Sequence, residues 1–246
     1  MKVFISGGAG FIGSHVAKRL LKDSNILSIV IFDNLTSGSL LHINELLQDP
    51  RVSFYEGDIK HLGMLTHAMQ GVDQVFHFAA NPDIAKAAKQ PDIDFWEGTY
   101  LTQNILEAMR INQVAQIIYS SGSGVYGETD SCVFDESIGR CEPISTYGAS
   151  KLACEALIAS YCHLFDMNGL AFRFANVVGP GQTHGVGFDF IRFLMRNPEM
   201  LTILGDGSQC KSYIHVDDVL DAIQLALKHT QSTYEVYNVA TNDSIT

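Results

Sequence analysis

Met1-Lys-Val-Phe-Ile-Ser-Gly-Gly-Ala-Gly-Phe-Ile-Gly-Ser-His15 opens the chain, and its reading decides the fold. Residues 2–6 read as a short buried strand, with Val3, Phe4 and Ile5 in one apolar run. Gly7, Gly10 and Gly13 follow, and then an amphipathic helix with Ile12, Val16, Leu20 and Leu21 on one stripe. Strand, glycine turn and helix in that order form the context of a dinucleotide site, although the spacing is G-x-x-G-x-x-G rather than G-x-G-x-x-G. Gly7 makes the tight turn, Gly10 lets the backbone approach a pyrophosphate, and Gly13 lets helix and strand pack closely. The free N–H groups of the first helical turn, at Phe11 and Ile12, then face the phosphates.

Working outward, Ile26 to Phe32 is a second apolar run that ends in Asp33, twenty residues after Gly13. A carboxylate at this offset accepts hydrogen bonds from an adenosine ribose and repels a 2′-phosphate. No Arg stands beside it, so NAD is expected rather than NADP. The polar loop Asn34 to Ser39, with Asn34, Ser37 and Gly38, is placed against the cofactor, and Leu40 to Leu47 reads as a helix.

The 246 residues carry 46% hydrophobic and 17% charged side chains, enough for one large domain or one domain and part of a second. A formal net charge of −11 argues against nucleic acid or an anionic membrane as the main partner. No apolar run approaches the ~20 residues of a membrane span, and no signal peptide precedes the first strand, so a cytoplasmic protein is expected. Cysteines at 132, 141, 154, 162 and 210 include no C-x-x-C pair, and no metal site is suggested.

Strands and helices alternate to the end. Val52 to Tyr55 is a third strand, followed by Gly57-Asp58-Ile59, where Asp58 either accepts from an adenine amino group or caps the helix His61 to Met69. Gln74 to Phe78 is a fourth strand and runs into Ala79-Ala80-Asn81, small enough for a dinucleotide to lie close. A long helix spans 93–111, and Ile117 to Ser120 ends a fifth strand before the small, polar loop Ser121 to Gly127. Leu170 to Phe174 is a sixth strand. The repeated β-α-β order predicts an α/β fold, a Rossmann-type doubly wound parallel sheet. From Ala175 the texture changes: a glycine-rich loop Gly179 to Gly187, a short helix Ile191 to Arg196, a short strand Leu201 to Leu204 and a turn Gly205-Asp-Gly207. A strand at Tyr213 and Ile214, a helix His215 to Leu227 and a strand Tyr234 to Val239 complete it. Residues 1–174 are expected to form the NAD-binding domain and 175–246 a smaller lobe interleaved with its last elements.

Tyr147-Gly-Ala-Ser-Lys151 begins a helix running to Phe165, and positions i and i+4 share a face. A phenol ionises near pH ~10 and is a poor base near neutrality. An ammonium held beside a phenol favours the phenolate. Such a pair suits proton transfer at a sugar hydroxyl while NAD takes a hydride.

The chain resembles the extended short-chain dehydrogenase/reductases of the NAD-dependent sugar-nucleotide epimerase/dehydratase family. The resemblance rests on Gly7/Gly10/Gly13, Asp33-Asn34-Leu35, Gly57-Asp58-Ile59, Ala79-Ala80, Val125-Tyr126-Gly127 and Tyr147/Lys151. It continues through Arg173 to Pro180 and from Gly205 to Asp218, and so covers nearly the whole chain. It is most like UDP-glucose 4-epimerase-like members. It implies a UDP-sugar substrate, Asn176 near the substrate diphosphate, and Lys211 as a diphosphate contact where an Arg is usual. A Lys there keeps the charge but loses the bidentate fork. It also implies a homodimer through the helices near 93–111 and 147–165, where Phe95, Trp96 and Tyr100 lie. Relatives continue beyond residue 246, so the resemblance implies a lobe that is incomplete here.

Two positions depart from the family pattern. The catalytic Ser or Thr usual four residues before the Tyr of V-Y-G is Gly122, with Ser121 and Ser123 on either side; either supplies the hydroxyl, and Ser121 is the preferred of the two. Around Glu97-Gly98-Thr99 an Asn near the cofactor is missing. Relatives that eliminate water carry an Asp-Glu pair in the Ser/Thr loop, and decarboxylases a Glu; Gly122-Ser123-Gly124 has no carboxylate. The expected reaction is therefore 4-epimerisation of a UDP-hexose through a 4-keto sugar. A dehydratase, decarboxylase or reductase, or a non-catalytic dinucleotide-binding homologue, stands as the alternative.

Overall fold

The computed structural model describes residues 1–128, 134–138, 140–203, 207 and 210–246. Strands β1 (Lys2–Ser6), β2 (Ser28–Asp33), β3 (Val52–Glu56), β4 (Gln74–His77), β5 (Gln116–Gly122), β6 (Asn168–Phe174) and β9 (Tyr234–Val239) form one sheet in the order β3-β2-β1-β4-β5-β6-β9. Every pairing in it is parallel. The order reverses between β1 and β4, and that crevice at the carboxyl ends is where doubly wound sheets bind ligands.

The continuous apolar runs are explained by burial on both faces. Phe4, Val30, Phe32, Val75 and Ile117 pack on one side with Leu65 of α2 (Leu62–Ala68), Leu101 and Ile105 of α3 (Tyr100–Asn112), and Cys154 and Ile158 of α4 (Thr146–Leu164). Val3, Ile5, Ile29, Ile31, Phe76 and Ile118 pack on the other with Val16 and Ala17 of α1 (Phe11–Leu20) and Val219, Leu220 and Ile223 of α6 (Val216–His229). Successive residues of each strand serve opposite layers, as the two-residue period demands. A small parallel pair, β7 (Asn176–Val178) and β8 (Tyr213–His215), forms a second sheet, with α5 (Val186–Arg196) between its strands in the chain.

Several expected elements differ. Leu40 to Leu47 is not one helix but two 3₁₀ turns, Leu40–His42 and Leu46–Gln48, the first capped by the Ser39 hydroxyl. The helix expected over 93–111 starts at Ile93 as expected but carries a π-helical turn, Phe95–Thr99, before α3. β5 runs two residues further than expected, so Ser121 and Gly122 lie in the strand and not in the loop. α5 begins at Val186, inside the expected glycine-rich loop. Residues 201–203 carry no strand, and Leu204, Gly205 and Asp206 lie outside the described residues, as does Cys132. Among the described residues no helix is long and apolar enough to cross a membrane.

One buried group makes the fold acid-sensitive. His77 is fully buried on β4, its Nδ1 2.7 Å from Ser6 Oγ and its Nε2 3.0 Å from Thr102 Oγ1. Burial, and then the nearby Lys151 charge, lowers its pKa to about 3. The unfolded chain takes up this proton near pH ~6.5 while the folded chain refuses it, so the stability His77 confers is full above that pH and drains as pH falls toward 3. Urea unfolding followed from pH 6 to 4 is expected to lose about 1.4 kcal/mol per pH unit more in the natural protein than in His77→Asn. Equal slopes would refute this account.

Candidate active site

The glycine turn is built by close approach. Gly7 has a φ of 69°, and a Cβ there would lie 2.6 Å from the Ala79 amide nitrogen, so the turn admits no side chain. A Cβ on Gly13 would overlap the Gly7 carbonyl oxygen, which sets α1 hard against the turn. Gly10 is the N-cap of α1 and no side chain caps it among the described residues. The first-turn amides at Phe11 and Ile12 therefore remain available to an anion. Phe11 itself is buried and meets the ring of His15 edge-on.

Asp33 ends β2 beside this turn, 8% exposed, and accepts the amides of Ala9 (3.0 Å) and Leu35 (2.9 Å). Burial raises its pKa, against those two hydrogen bonds. A Cβ on Gly38 would sit 2.8–3.0 Å from the Asp33 carboxylate, so glycine at 38 lets the loop close over the acid. Gly7, Asp33, Asn34, Ser37, Asp58, Ile59, Ala79, Ala80 and Asn81 line one solvent-open cleft. It also takes in Lys86, Ile93, Glu97 and Leu101, which sequence reasoning did not assign. Asp58 does not cap α2, whose N-cap is His61; its Oδ1 accepts the Lys60 amide at 2.9 Å, and Asp58 is among the residues that line the cleft. A glycine cradle that a Cβ would fill and a buried acid at the end of β2, both on one open cleft, fit a dinucleotide.

The Tyr–Lys pair lies at the start of α4, whose N-cap Ser145 accepts the Gly148 amide at 3.0 Å. Lys151 is 5% exposed; its Nζ donates to the Ser120 carbonyl (2.6 Å) and stands 5.0 Å and 5.5 Å from the ring centres of Tyr119 and Tyr147. A small recess joins Tyr147, Ser150 and Lys151 to Ala80, Asn81 and Glu97, three residues that also line the larger cleft. The pair therefore adjoins the wall on which a dinucleotide would lie. A Cβ on Gly148 would overlap the Gly124 carbonyl oxygen, so the glycine after Tyr147 is what lets α4 rest on the 3₁₀ turn Ser123–Val125.

The two serines part company. Ser121 is 4% exposed, and its hydroxyl donates to Glu155 Oε1 at 2.5 Å. Glu155 also holds Arg173, through Nε at 3.0 Å and Nη2 at 2.7 Å, and Arg173 Nη1 donates to the Tyr126 hydroxyl at 2.9 Å. Burial opposes the Arg173 charge, but these bonds hold its pKa above the ordinary value. Ser121 is thus committed to a buried ion pair, whereas Ser123 is exposed on the turn beside α4. The preferred Ser121 hydroxyl is therefore already engaged with Glu155, while Ser123 faces solvent. Glu155 was missed, since one Glu eight residues after a Tyr carries no signal until Arg173 is known to face it. Asn176, on β7, donates through Nδ2 to the Ser212 carbonyl at 3.1 Å, and Lys211, one residue before Ser212, is exposed and bridges to Ile245 just outside that sheet. The glycine at 98, read as a lost Asn, has its own reason: a Cβ there would overlap Ser150 Oγ on α4.

Residues 3–240 match the model of the NAD dependent epimerase/dehydratase family. A trifunctional UDP-glucose 4,6-dehydratase/UDP-4-keto-6-deoxy-D-glucose 3,5-epimerase/UDP-4-keto-L-rhamnose-reductase of Arabidopsis thaliana is 32% identical over 97% of the chain, which spans 36% of that protein's length. A UDP-glucose 4-epimerase of Lacticaseibacillus casei is 31% identical over 93% of the chain and 72% of its own length. Among solved structures, a UDP-galactose 4-epimerase superposes with a TM-score of 0.87 at 36% identity, over 100% of this chain and 79% of that one.

Proposed function

Because this chain belongs to the NAD-dependent epimerase/dehydratase family, we propose that it epimerises a UDP-hexose of the UDP-glucose/UDP-galactose type at C4, by way of a 4-keto sugar. The observation that carries the reading is the turn beside the Tyr–Lys pair: Gly122, Ser123 and Gly124 bring no carboxylate next to Tyr147. A bound keto sugar that meets no carboxylate on that turn is returned to an alcohol, and return to the opposite face inverts C4. The UDP-sugar epimerases among the relatives agree with this, while the Arabidopsis relative keeps a dehydratase reading in play.

NAD, when bound, supplies the acceptance and return of the hydride. The chain's own residues do the rest. The amides of Phe11 and Ile12 at the α1 N-terminus hold phosphate, with Gly10 and Gly13 keeping the turn free of side chains. Asp33, with Asn34, Ser37 and Gly38, takes the ribose end, and Asp58 and Ile59 the adenine edge. Tyr147 takes the proton of the sugar hydroxyl and gives it back. The buried Lys151 side chain stands 5.5 Å from the centre of the Tyr147 ring and sets a positive charge beside the phenol that carries this proton. Ser123 is the hydroxyl placed to hold the sugar oxygen. Asn176 and Lys211 receive the diphosphate. Phe95 and Trp96, 51% and 44% exposed at the start of the helix that continues into α3, offer an apolar surface to a second copy in a homodimer.

Product analysis tests the reading. Incubation with NAD and UDP-glucose or UDP-galactose, followed by mass and anomeric NMR signals, is expected to give the C4 epimer at unchanged mass. Loss of water would make the chain a dehydratase and refute the argument from the turn. NAD binding without any product would support a non-catalytic homologue.

A further inference from the structure

Asp94 stands outside every motif of the sequence, yet it is 2% exposed and sits between the cofactor cleft and the start of α4. Its carboxylate accepts from two elements at once: Asn81 Nδ2 donates to Oδ1 at 2.9 Å, and Thr146 Oγ1 to Oδ2 at 2.7 Å. Its backbone carbonyl accepts a third donor, Ser150 Oγ, at 2.6 Å. Thr146 and Ser150 immediately precede Tyr147 and Lys151. Asn81 immediately follows Ala80 on the cleft wall, and its own amide donates to the Glu97 carbonyl at 3.1 Å. Asp94 directly precedes the π-helical turn Phe95–Thr99, whose Gly98 lies against Ser150. A π turn inserted into a helix re-aims the residues around it and recurs at functional sites.

We infer that Asp94 is a positioning residue, which fixes the Tyr147–Lys151 pair against the wall that receives the cofactor. The inference rests on the role proposed above for that pair. Asp94 hydrogen-bonds both to the cleft wall at Asn81 and to the side chains flanking Tyr147 and Lys151. Without the carboxylate, Thr146 loses its acceptor and Asn81 keeps only the Asp83 carbonyl, at 3.0 Å, so the side-chain link between the cleft wall and the start of α4 is broken. A displacement of about 1 Å between reacting groups is enough to cost on the order of a hundredfold in rate. An Asn at 94 keeps both links, since its oxygen still accepts from Asn81 and its amide donates to the Thr146 hydroxyl.

The experiment compares Asp94→Ala, Asp94→Asn, Thr146→Val and the Asp94→Ala/Thr146→Val double variant, with Tyr147→Phe alongside. Turnover is read as kcat and KM. NAD affinity is read from the fluorescence of Trp96, the sole tryptophan, two residues from Asp94. Asp94→Ala is expected to lower kcat by roughly 10–100-fold with KM little changed, and to bind NAD about tenfold more weakly, the loss of one hydrogen bond to a charged group. Asp94→Asn should stay within about threefold of the natural protein on both readouts, a rescue that the linkage geometry predicts. The double variant should be hardly worse in kcat than Asp94→Ala, because Thr146 acts through the same carboxylate. Unchanged kcat and NAD affinity in Asp94→Ala overturn the inference, as does an Asp94→Asn variant as impaired as the alanine. Full turnover in Tyr147→Phe would instead sink the role proposed for the Tyr–Lys pair, and NAD affinity would still decide whether Asp94 organises the cleft.

Discussion

Replacing Tyr147 by Phe is expected to lower turnover by about 10²–10⁴-fold, the range that a positioned acid or base contributes. The change removes one oxygen from the first turn of α4 and leaves the ring that Lys151 faces. Asp33, the glycine turn and the Asp58–Ile59 edge are untouched, so NAD affinity should stay within about twofold, since none of its hydrogen-bonding groups is lost. The separation of the two readouts is the informative part. Loss of turnover with intact NAD binding assigns the proton step to this phenol. Retained turnover would move that step elsewhere, and Ser123 would be the next group to change.

The second large effect is on stability. Glu155→Ala strands the Arg173 guanidinium, whose side chain is 8% exposed, without its carboxylate. Removing one partner of a buried pair costs about 3–5 kcal/mol. In a chain of this length that lowers the melting temperature by roughly 6–20 °C. Ser121 and Tyr126 lose order with it, because both bond to the same pair. Replacing both partners by apolar residues, as in Glu155→Met/Arg173→Leu, should recover most of the loss. Thermal unfolding of the three proteins decides it, and a single variant as stable as the natural chain would show that the pair is dispensable.

The sheet was legible because a parallel strand buried on both faces leaves an uninterrupted apolar run, and β1, β2, β4 and β6 all carry one. The turn was legible because glycine is what close backbone approach requires, at Gly7 and Gly13 above all. What escaped was tertiary. The 3₁₀ turns at 40–48 carry helical periodicity but pack as separate pieces, Ile43 and Leu46 buried between exposed Leu41 and Glu45. The end of β5 was drawn too early because Ser120, Ser121 and Gly122 have a loop's composition. Their backbones nonetheless pair with Phe172, Arg173 and Phe174. That pairing, invisible in one strand alone, turns Ser121 toward Glu155. Asp94 and Glu155 are single acids without a motif, and their meaning lies in partners 13 to 56 residues away.

β9 gives the molecule a seam that resists recombination. It is contributed from the region following β7 and β8, yet it aligns with β6 in register from Gly169 opposite Tyr234 to Phe174 opposite Val239. A graft of residues 175–246 from a relative would therefore import an edge strand along with the lobe, and would have to rebuild six residues of ladder against an unchanged β6. Diversification of this scaffold is easiest in the loops between β7 and α5 and between α5 and β8, which can be rewritten without disturbing that ladder.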